Sequence, residues 1–576
     1  MHINKVDITF LLIALAVVLI TVSGQSSRSP YARLQSTNFF KSQPEQLSAE
    51  DQSKLAQQIA LGVLQLSQQL TERTLASTTN KFEVLSPLSV ASALQLALLA
   101  AKGQTYDELI QVMNYGNYSP RFIHQEFSEI LNDLKLNKHS PKRDKVKWRE
   151  NANEQYLQST QRFEDHQTNY EHHKIEVANG IFVQNDVNIR GAYKDAVQNV
   201  YKSEVKSLNF RDAPSDASQQ INDWVNEKTH GKIKQIVPPV MNPNTRIVLA
   251  NALYFKAQWQ TSFFEGATKP KKFFPYGRSR TDDYIMADLM AHGGYFPHYY
   301  DPETNVEILG LPYKQNCTTM YIILPKDSNM DRIKEVQKQL TAEKIEDLID
   351  KMTVKSAVML FPKMHLKSGY HFKSDLQELG VKSLFEQDKS DLSLLSEGEV
   401  KMKNRNETFV FPQDPLTRMG KRNKRDITYK VPSENKKSSL PLSIKDFFNR
   451  KRIIKSSKGK KNNKRTKRDA IDSLSKLDQL RNLNLINPQL FADEVIHKVD
   501  LTINEKGTEG GASTLVTINR STTVVFRVDI PFMFLIRHDP TKIPLFYGVV
   551  FQPPATDEVN EDCEKMLNNE DENSNS

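Results

Sequence analysis

The sequence predicts an α+β fold, with helices and strands mixed along the chain. Helices are indicated by apolar residues at helical spacing, first at Leu55, Ile59, Val63, Leu66 and Leu70. Strands are indicated by runs of β-prone residues, such as 246–256, 319–325 and 497–503. A long segment of small and polar residues, 505–521, lies between two strand-like runs and organises the rest of the interpretation.

The segment 505–521 alternates in a way that a surface loop need not. Small or apolar residues share one parity: Thr508, Gly510, Ala512, Thr514, Val516 and Ile518. The other parity is mostly polar: Glu509, Gly511, Ser513 and Thr517. This period of two predicts a segment that is a loop in one state and a half-buried strand in another. A glycine-rich surface loop is the alternative.

Charge is distributed unevenly over the 576 residues. The chain has a net charge of +9, with 38% apolar and 26% charged residues, as in soluble globular proteins. Residues 401–468 hold 23 Lys or Arg against 5 Asp or Glu, a net +18, so the remainder carries −9. The basic character thus belongs to one segment and says little about the partners of the main domain. We expect no nucleic-acid partner, because such a function would need a folded basic surface. No metal-ligand spacing or phosphate-binding loop occurs, so we expect no metal and no cofactor.

Residues 1–24 read as a secretory signal peptide. Lys5 provides the charged start, residues 10–22 are almost wholly apolar, and Ser23 and Gly24 are small enough for cleavage. The apolar run is short for a membrane span, which needs about 20 residues. We therefore expect a secreted, extracellular protein with no membrane segment, in which residues 25–49 form a mobile arm. An uncleaved anchor is the alternative.

Cysteines and glycosylation sequons fit an extracellular protein. Only Cys317 and Cys563 are present, and a domain of this size needs no disulfide to hold its core. We expect two thiols that are not joined to each other, with an intermolecular bond as the alternative. The Asn-x-Ser/Thr sequons give four candidate glycosylation sites: Asn117, Asn316, Asn406 and Asn519.

The first part of the chain reads as helices around a few strands. One helix begins near Ser48, and Ser86-Pro87 marks the start of a second helix that is apolar on nearly every side. The polar stretch 137–173 is interpreted as a solvated insertion. Its basic residues are Lys138, His139, Lys142, Arg143, Lys145, Lys147 and Arg149.

Several separated motifs resemble those of the serpin family of serine protease inhibitors. They are Ser86-Pro-Leu-Ser89, Gln220-Ile-Asn-Asp-Trp224, the run 246–256 with Trp259, Glu505-Lys-Gly-Thr-Glu-Gly-Gly-Ala-Ser-Thr514, Pro531-Phe-Met-Phe-Leu-Ile536 and Pro544-Leu-Phe-Tyr-Gly548. A single motif of this kind is weak, but the set occurs in the family's order. The resemblance covers two parts of a serpin domain, residues 50–397 and 487–555.

The resemblance implies a fold of several helices around three β-sheets, with an exposed reactive-centre loop at 505–530. It implies an inhibitor rather than an enzyme: a protease cleaves the loop, and the freed hinge enters the main sheet as a new strand. The hinge residues carried over are Glu505, Gly507, Thr508, Glu509, Gly510, Gly511 and Ala512. Trp259 matches the breach, where the hinge first enters the sheet.

The resemblance places the reactive bond at Arg520-Ser521. Counting forward from Glu505 puts Ser521 before the bond, whereas counting back from Pro531 puts Arg520 there. Arg520 makes better chemical sense, because its side chain fits the acidic pocket of a trypsin-like serine protease. A sulfated polysaccharide or other polyanion is the alternative partner, at the basic residues of 138–149. We expect a monomer.

Four residues match the shutter, a polar cluster that serpins build under the main sheet: Ser86, Ser89, Asn251 and His497. The sequence supports one of them independently, because His497 alternates with Val495, Val499 and Leu501 on one strand face. We expect a buried histidine bonded to Asn251 and a serine. A hydrolase is the alternative, but no Gly-x-Ser-x-Gly turn accompanies the pair.

Residues 398–486 depart from the family pattern. They are rich in Lys, Asn and Ser, so we expect a basic and mostly disordered insertion, with a weak amphipathic helix over 470–485. Two clusters ending at Arg425 and Arg468 have the basic spacing of proprotein-convertase sites; a solvated basic tract is the alternative. Residues 556–576 read as an acidic, polar tail.

The leading hypothesis is a secreted inhibitor of trypsin-like serine proteases in an extracellular cascade, acting by acyl-enzyme trapping and loop insertion. One alternative is a non-inhibitory carrier or binding protein with the same fold. Another is a precursor that a convertase cuts after Arg425 and Arg468.

Overall fold

The computed structural model describes residues 47–77, 80–136, 143, 145–157, 173–264, 266–314, 317–397, 468–508 and 523–554. All elements below belong to the unit Ser48–Ser576. The predicted signal peptide, nearly all of the predicted arm, residues 398–467 of the insertion and the tail 556–576 lie outside the described residues.

The two helices predicted in the first part of the chain are present and begin at Ala49 and Pro87. The helices of the described residues are α1 (Ala49–Ser77), α2 (Pro87–Ala100), α3 (Gly103–Val112), α4 (Pro120–Leu136), α5 (Lys147–Glu150), α6 (Gly191–Ala196), α7 (Pro214–Lys228), α8 (Met330–Gln339), α9 (Ala342–Asp350), α10 (Lys373–Leu379) and α11 (468–481). A helical turn covers 154–157, α6 continues as a π-helical turn, Val197–Tyr201, and a 3-10 turn, Ser383–Phe385, follows α10.

The other regular elements are fifteen strands in the described residues. They are β1 (Phe82–Leu85), β2 (His173–Gln184), β3 (Glu204–Leu208), β4 (Ile247–Gln258), β5 (Lys269–Phe273), β6 (Ile285–Asp301), β7 (Val306–Pro312), β8 (Thr318–Pro325), β9 (Thr353–Pro362), β10 (Met364–His371), β11 (Glu494–Ile503), β12 (Gly507–Thr508), β13 (Val524–Arg527), β14 (Phe532–His538) and β15 (Ile543–Val550). The predicted α+β class is confirmed.

The strands of the described residues form a nine-stranded and a six-stranded sheet. The larger sheet has the order β1-β15-β14-β8-β7-β6-β9-β13, with β5 also on β6. Three sheets were implied by the resemblance; here two of them are continuous, because the 17-residue strand β6 pairs with β9 over Leu289–His298 and with β7 over His298–Asp301.

The six-stranded sheet positions the candidate site. Its order is β10-β11-β4-β2-β3, and the short strand β12 also pairs with β4. The central pair, β11 and β4, is parallel. Helix α2 begins beneath this sheet and is buried along its whole length, as its apolar sequence predicts. Ser86 caps it by accepting a hydrogen bond from the Ser89 backbone N–H, and Pro87 occupies the first turn.

The prediction of a solvated insertion over 137–173 is wrong for Val146, Trp148 and Tyr156, which are buried. Trp148 is fully buried and Tyr156 nearly so, in the core cluster beside α8 and α9. The Arg143 side chain lies 2.7 Å from a Glu126 carboxylate oxygen and 3.0 Å from one of Asp133. Arg149 contacts Asp539 and Lys147 contacts Asp350. Arg143 and Arg149 are therefore paired inside the fold, whereas the Lys147 side chain of the third pair is exposed. Of the other basic residues proposed for a polyanion, Lys138, His139 and Lys142 lie outside the described residues.

The described residues contain neither a helix able to span a membrane nor a cluster able to hold a metal ion. No helix there is long and apolar enough to cross a bilayer. No group of three or more His, Cys, Asp or Glu side chains among the described residues has the arrangement needed to hold a metal ion.

Candidate functional site

The hinge begins with a tight turn after β11. Asn504 closes it, because its side-chain Oδ1 accepts hydrogen bonds from the backbone N–H groups of Lys506 at 3.0 Å and Gly507 at 3.2 Å. Asn504 and Gly507 also form an antiparallel bridge. An asparagine that bonds to the backbone two residues on is a common turn device. The chain therefore reverses and runs back along the sheet.

The reversed chain adds to the sheet at once as β12. Gly507 pairs with Gln258 and Thr508 pairs with Ala257, both antiparallel. Gly507 has φ of +143°, and a Cβ atom there would lie 2.2 Å from the Ala257 carbonyl oxygen. Only glycine fits both the conformation and this close approach. Gly507 and Thr508 of the hinge are thus already a strand of the sheet.

The seam between β4 and β11 is closed at one end and open at the other. Residues Val248–Ala252 of β4 pair with Glu494–Lys498 of β11. In the described residues that ladder ends at Lys498: beyond it β11 pairs with β10, and Leu253–Lys256 of β4 pair with β2. The short hinge strand β12 pairs with β4 at the open end, where the facing edges of β4 and β11 are not paired with each other.

Trp259 fixes the base of the hinge at the open end. Its side chain is 1% exposed and stacks on Tyr313, with ring centroids 4.4 Å apart. The indole N–H of Trp259 donates to the Asn504 carbonyl oxygen at 2.9 Å. The backbone N–H of Trp259 donates to the Lys506 carbonyl oxygen at 3.1 Å. One tryptophan therefore holds both sides of the turn by hydrogen bonds.

Glu505 is held by a second set of contacts. The Thr268 hydroxyl donates to its carboxylate at 2.7 Å, and the Lys363 ammonium lies 3.4 Å away. The Phe263 backbone N–H donates to its carbonyl oxygen. Although burial raises the pKa of Glu505, the hydrogen bond from Thr268 and the charge of Lys363 bring it below its ordinary value. The carboxylate is therefore charged at neutral pH.

The four predicted shutter residues lie together at the closed end. His497 is buried; its Nε2 accepts from the Ser86 backbone N–H at 2.9 Å, and its Nδ1 lies 3.3 Å from Asn251 Oδ1. Asn251 donates to the Ser89 carbonyl oxygen and to Asn179 Oδ1. An accepting Nε2 requires the proton on Nδ1, so the histidine donates to Asn251 as a neutral ring.

These side chains form a row across the sheet. Tyr370, His497, Asn251 and Asn179 are direct register partners on β10, β11, β4 and β2. Burial lowers the pKa of His497 to about 3, which keeps the ring neutral. Because Nε2 is occupied by a backbone N–H rather than a hydroxyl, this cluster offers no activated nucleophile. It ties the seam together.

The other predicted site residues have different settings. Asn117 is exposed between α3 and α4, and Arg468 is exposed as the first residue of α11. Cys317 is buried, which raises the pKa of its thiol to about 11. The remainder lie outside the described residues: Glu509, Gly510, Gly511, Ala512, Arg520, Ser521, Arg425, Asn316, Asn406, Asn519 and Cys563.

Four residues that shape the site were not predicted from the sequence: Asn504, Thr268, Lys363 and Tyr370. Asn504 had a readable signal, since an asparagine between a strand and a glycine favours a turn. The other three are brought in from β10 and from segments distant in sequence, so no local pattern marks them.

Comparisons with known proteins agree on one family. A family model described as "Serpin (serine protease inhibitor)" matches residues 62–410 and 471–553. The chain is 32% identical over 476 residues to serine protease inhibitor 28Dc of Drosophila melanogaster, covering 82% of this chain and 76% of that one. It is 27% identical over 330 residues to iripin-2 of Ixodes ricinus, covering 57% and 74%.

Solved structures show the same fold. Mouse protein-Z dependent protease inhibitor aligns with a TM-score of 0.59 at 18% identity, covering 88% of this chain and 100% of that one. Human thyroxine-binding globulin aligns with a TM-score of 0.59 at 18% identity, covering 87% and 99%. The family match, the relatives and these structures agree with the motif order, and the chain belongs to the serpin family.

Proposed function

We propose that this chain is a secreted inhibitor that traps a trypsin-like serine protease as an acyl-enzyme. Membership of the serpin family supports a serine protease inhibitor. The observation that carries the proposal is the hinge: Gly507 and Thr508 already pair with β4, directly at the open end of the seam. The rest of the hinge has a place to continue.

The reaction proceeds in two stages. The protease serine attacks the Arg520 carbonyl carbon, the bond to the Ser521 nitrogen breaks, and that nitrogen leaves as an amine while Arg520 stays esterified to the enzyme. The freed hinge then extends β12 between β4 and β11 and carries the protease with it. Distortion of the enzyme's oxyanion hole would stall hydrolysis of the ester.

The energetics allow insertion to act as the driving force. Adding a strand of about a dozen residues forms hydrogen bonds worth on the order of 1 kcal/mol each. Their sum rivals the roughly 5–15 kcal/mol that stabilises a whole domain. Against it stand the five-residue ladder between Val248–Ala252 and Glu494–Lys498 and the contact between His497 and Asn251, all of which must open.

The hinge sequence suits entry into a sheet. The residues expected to face inward, Thr508, Gly510, Ala512 and Thr514, are small and uncharged. Gly510 and Gly511 lower strand propensity and would slow insertion. Arg520 would select a protease with an acidic pocket.

The deciding experiment mixes the full chain with trypsin and resolves the products on a denaturing gel. We expect a covalent band near the sum of the two masses and a released fragment that begins at Ser521. Arg520→Ala should remove the band with trypsin. Clean cleavage after Arg520 without a covalent band would contradict inhibition of this enzyme class.

A carrier with the same fold is the second candidate. Gly510 and Gly511 in the hinge and the sequon at Asn519, beside the proposed bond, favour it. The two candidates differ in one measurable property: loop cleavage should raise the melting temperature of an inserting inhibitor and leave that of a non-inserting carrier unchanged.

Secretion and processing are proposals of their own. Secretory expression of the full chain should give a product in the medium whose first residue lies near Gln25. Cleavage after Arg425 or Arg468 would add N-termini at Asp426 or Asp469, which Edman sequencing would detect. Retention of the product in the cell would contradict secretion.

A further inference from the structure

Helix α11 is docked on the serpin body by one apolar face. It lies just after the break in the family match between 410 and 471. Leu474, Leu477 and Leu480 are 3%, 2% and 1% exposed, and their spacing of three places them on one side of a helix. Burial of three leucines is a substantial contribution to the docking of this helix. The sequence predicted only a weak helix here.

The C-terminal end of α11 binds α2 and α3. The Arg481 guanidinium donates to the Ala101 carbonyl oxygen at 2.7 Å and lies 5.0 Å from the Tyr106 ring centroid. Ala101 caps the C-terminus of α2, where a positive charge is favourable. Lys102 donates in turn to the Leu483 carbonyl oxygen at 2.7 Å. Both bonds are charge-assisted and anchor this end.

The N-terminal half of α11 contacts the β4 side of the seam. The Asn199 side chain donates to the Ser473 hydroxyl at 3.0 Å, and Ser473 is 3% exposed. Lys476 lies 3.8 Å from Asp195, an exposed pair of little weight. Asp195 and Asn199 belong to α6 and its π-helical turn, which connect β2 to β3. That connection is part of the β4 side of the sheet.

Beyond α11 the chain runs directly into β11. Asn487 donates to the Ser390 carbonyl oxygen at 2.8 Å, and the Ala492 backbone N–H donates to that of Leu384 at 3.0 Å. These bonds anchor residues 482–493 beside residues 384–390, which follow α10. Helix α11 is therefore tied to β11 by the chain and to the β2–β3 connection by contact.

We propose that α11 is a strap across the seam, which holds β4 and β11 together and slows insertion of the reactive loop. The proposal rests on the proposed function, because it concerns the same sheet opening. A new strand requires about 4.8 Å of added spacing between its neighbours. The β2–β3 connection must then move relative to β11, and α11 cannot follow both. Its contacts are part of the barrier.

The test measures seam opening directly, without a protease. A synthetic peptide with the sequence of residues 508–521 is incubated with the uncleaved full chain, and its incorporation is followed on native gels. The double variant Leu474→Ala/Leu477→Ala should speed incorporation about tenfold, since each buried truncation weakens the docked helix. Asn199→Ala removes one bridging bond on the body and should speed it about threefold. Ile486→Ala, at a side chain 79% exposed, is the matched control and should change the rate little.

The outcomes are separable from those of the inhibitor proposal. Equal or slower incorporation in the strap variants, with hydrogen exchange showing α11 undocked, would overturn the strap, and so would a lack of incorporation in every variant. Incorporation in the variants but not in the wild type would support it. A strap-dependent rate together with no covalent trypsin complex would overturn the inhibitor and leave the strap standing.

Discussion

The two ends of the β4–β11 seam are built differently. At the closed end, the backbone ladder Glu494–Lys498 is reinforced by buried side chains, with His497 bonded across to Asn251. At the open end, the two strands part, and Trp259 and Glu505 hold the returning hinge instead. For the proposed insertion, this difference implies a direction of opening, from the end where β12 already pairs with β4 toward the end held by the shutter.

Blocking the open end should have the largest effect. Thr508→Arg places a charge on the parity that must become buried when the hinge inserts, which is strongly unfavourable without a partner. We expect the rate of covalent complex formation to fall at least about 100-fold, with the loop cut as in a substrate. Glu509→Ala, on the opposite parity, is the matched control. Equal trapping rates for both variants would show that hinge parity is irrelevant.

Breaking the closed end should cost stability. Asn251→Leu leaves the Ser89 carbonyl oxygen, Asn179 Oδ1 and the His497 ring without their shared partner, at a cost of about 2–4 kcal/mol in the free energy of unfolding. Urea unfolding would measure it. The exposed substitution Asn226→Leu on α7 should cost less than about 0.5 kcal/mol. Similar losses for the two would contradict a special role for the shutter.

Lowering the pH should reduce the free energy of unfolding. The loss per pH unit should be smaller than the loss expected for Asn251→Leu. The pKa of His497 is about 3 when folded and 6.5 in its ordinary range, so the unfolded chain takes up the proton first. Its contribution is complete above about pH 6.5 and is lost as pH falls toward 3, by up to about 1.4 kcal/mol per unit. His292, whose pKa burial lowers to about 4, adds to the slope.

The variant His497→Gln isolates that slope. Between pH 4 and 6, unfolding of this variant should take up one proton fewer than unfolding of the wild type. Its free energy of unfolding should therefore depend less steeply on pH. The exposed variant His371→Gln should not alter the slope to the same extent. An unchanged slope in His497→Gln would mean that the ring is not neutral in the folded protein.

The smallest effect is expected at Glu505. Glu505→Gln keeps the bond from Thr268 but loses the attraction of Lys363 at 3.4 Å, a partly exposed pair. Such pairs contribute about 0–1 kcal/mol. Hydrogen exchange at Gly507 should therefore accelerate only a fewfold. The charge swap Glu505→Lys/Lys363→Glu should restore part of the protection; failure to do so would indicate that the carboxylate acts through Thr268 alone.

The sequence predicted those features that are determined by neighbouring residues, and it failed where the interacting partners lie elsewhere in the chain. Ser86-Pro87 and the apolar run after it specified a capped, buried helix from adjacent residues alone. Arg143 was misread because its partners, Glu126 and Asp133, lie on the preceding helix α4 and leave no signal beside it. Docking of α11 was missed for a similar reason, since three leucines among polar residues do not show which surface they cover.

The shared strand β6 was also hidden. Gly293, Gly294 and Pro297 read as strand breakers, yet β6 passes through all three without interruption. Those residues lie within its ladder with β9, whose register continues from Leu289 to His298. Tertiary pairing therefore overrides local propensity at this strand.

Strand β6 forms one hydrogen-bonded ladder with β9 and another with β7, and this affects how the protein unfolds. His298 is the last partner of β9 and the first of β7, so neither ladder can be lost without removing support from the other. The amides of β7 and β9 should therefore exchange with solvent in one cooperative step, although the two strands are separated in sequence by β8, α8 and α9. The two halves of the large sheet are therefore joined through one shared strand, β6.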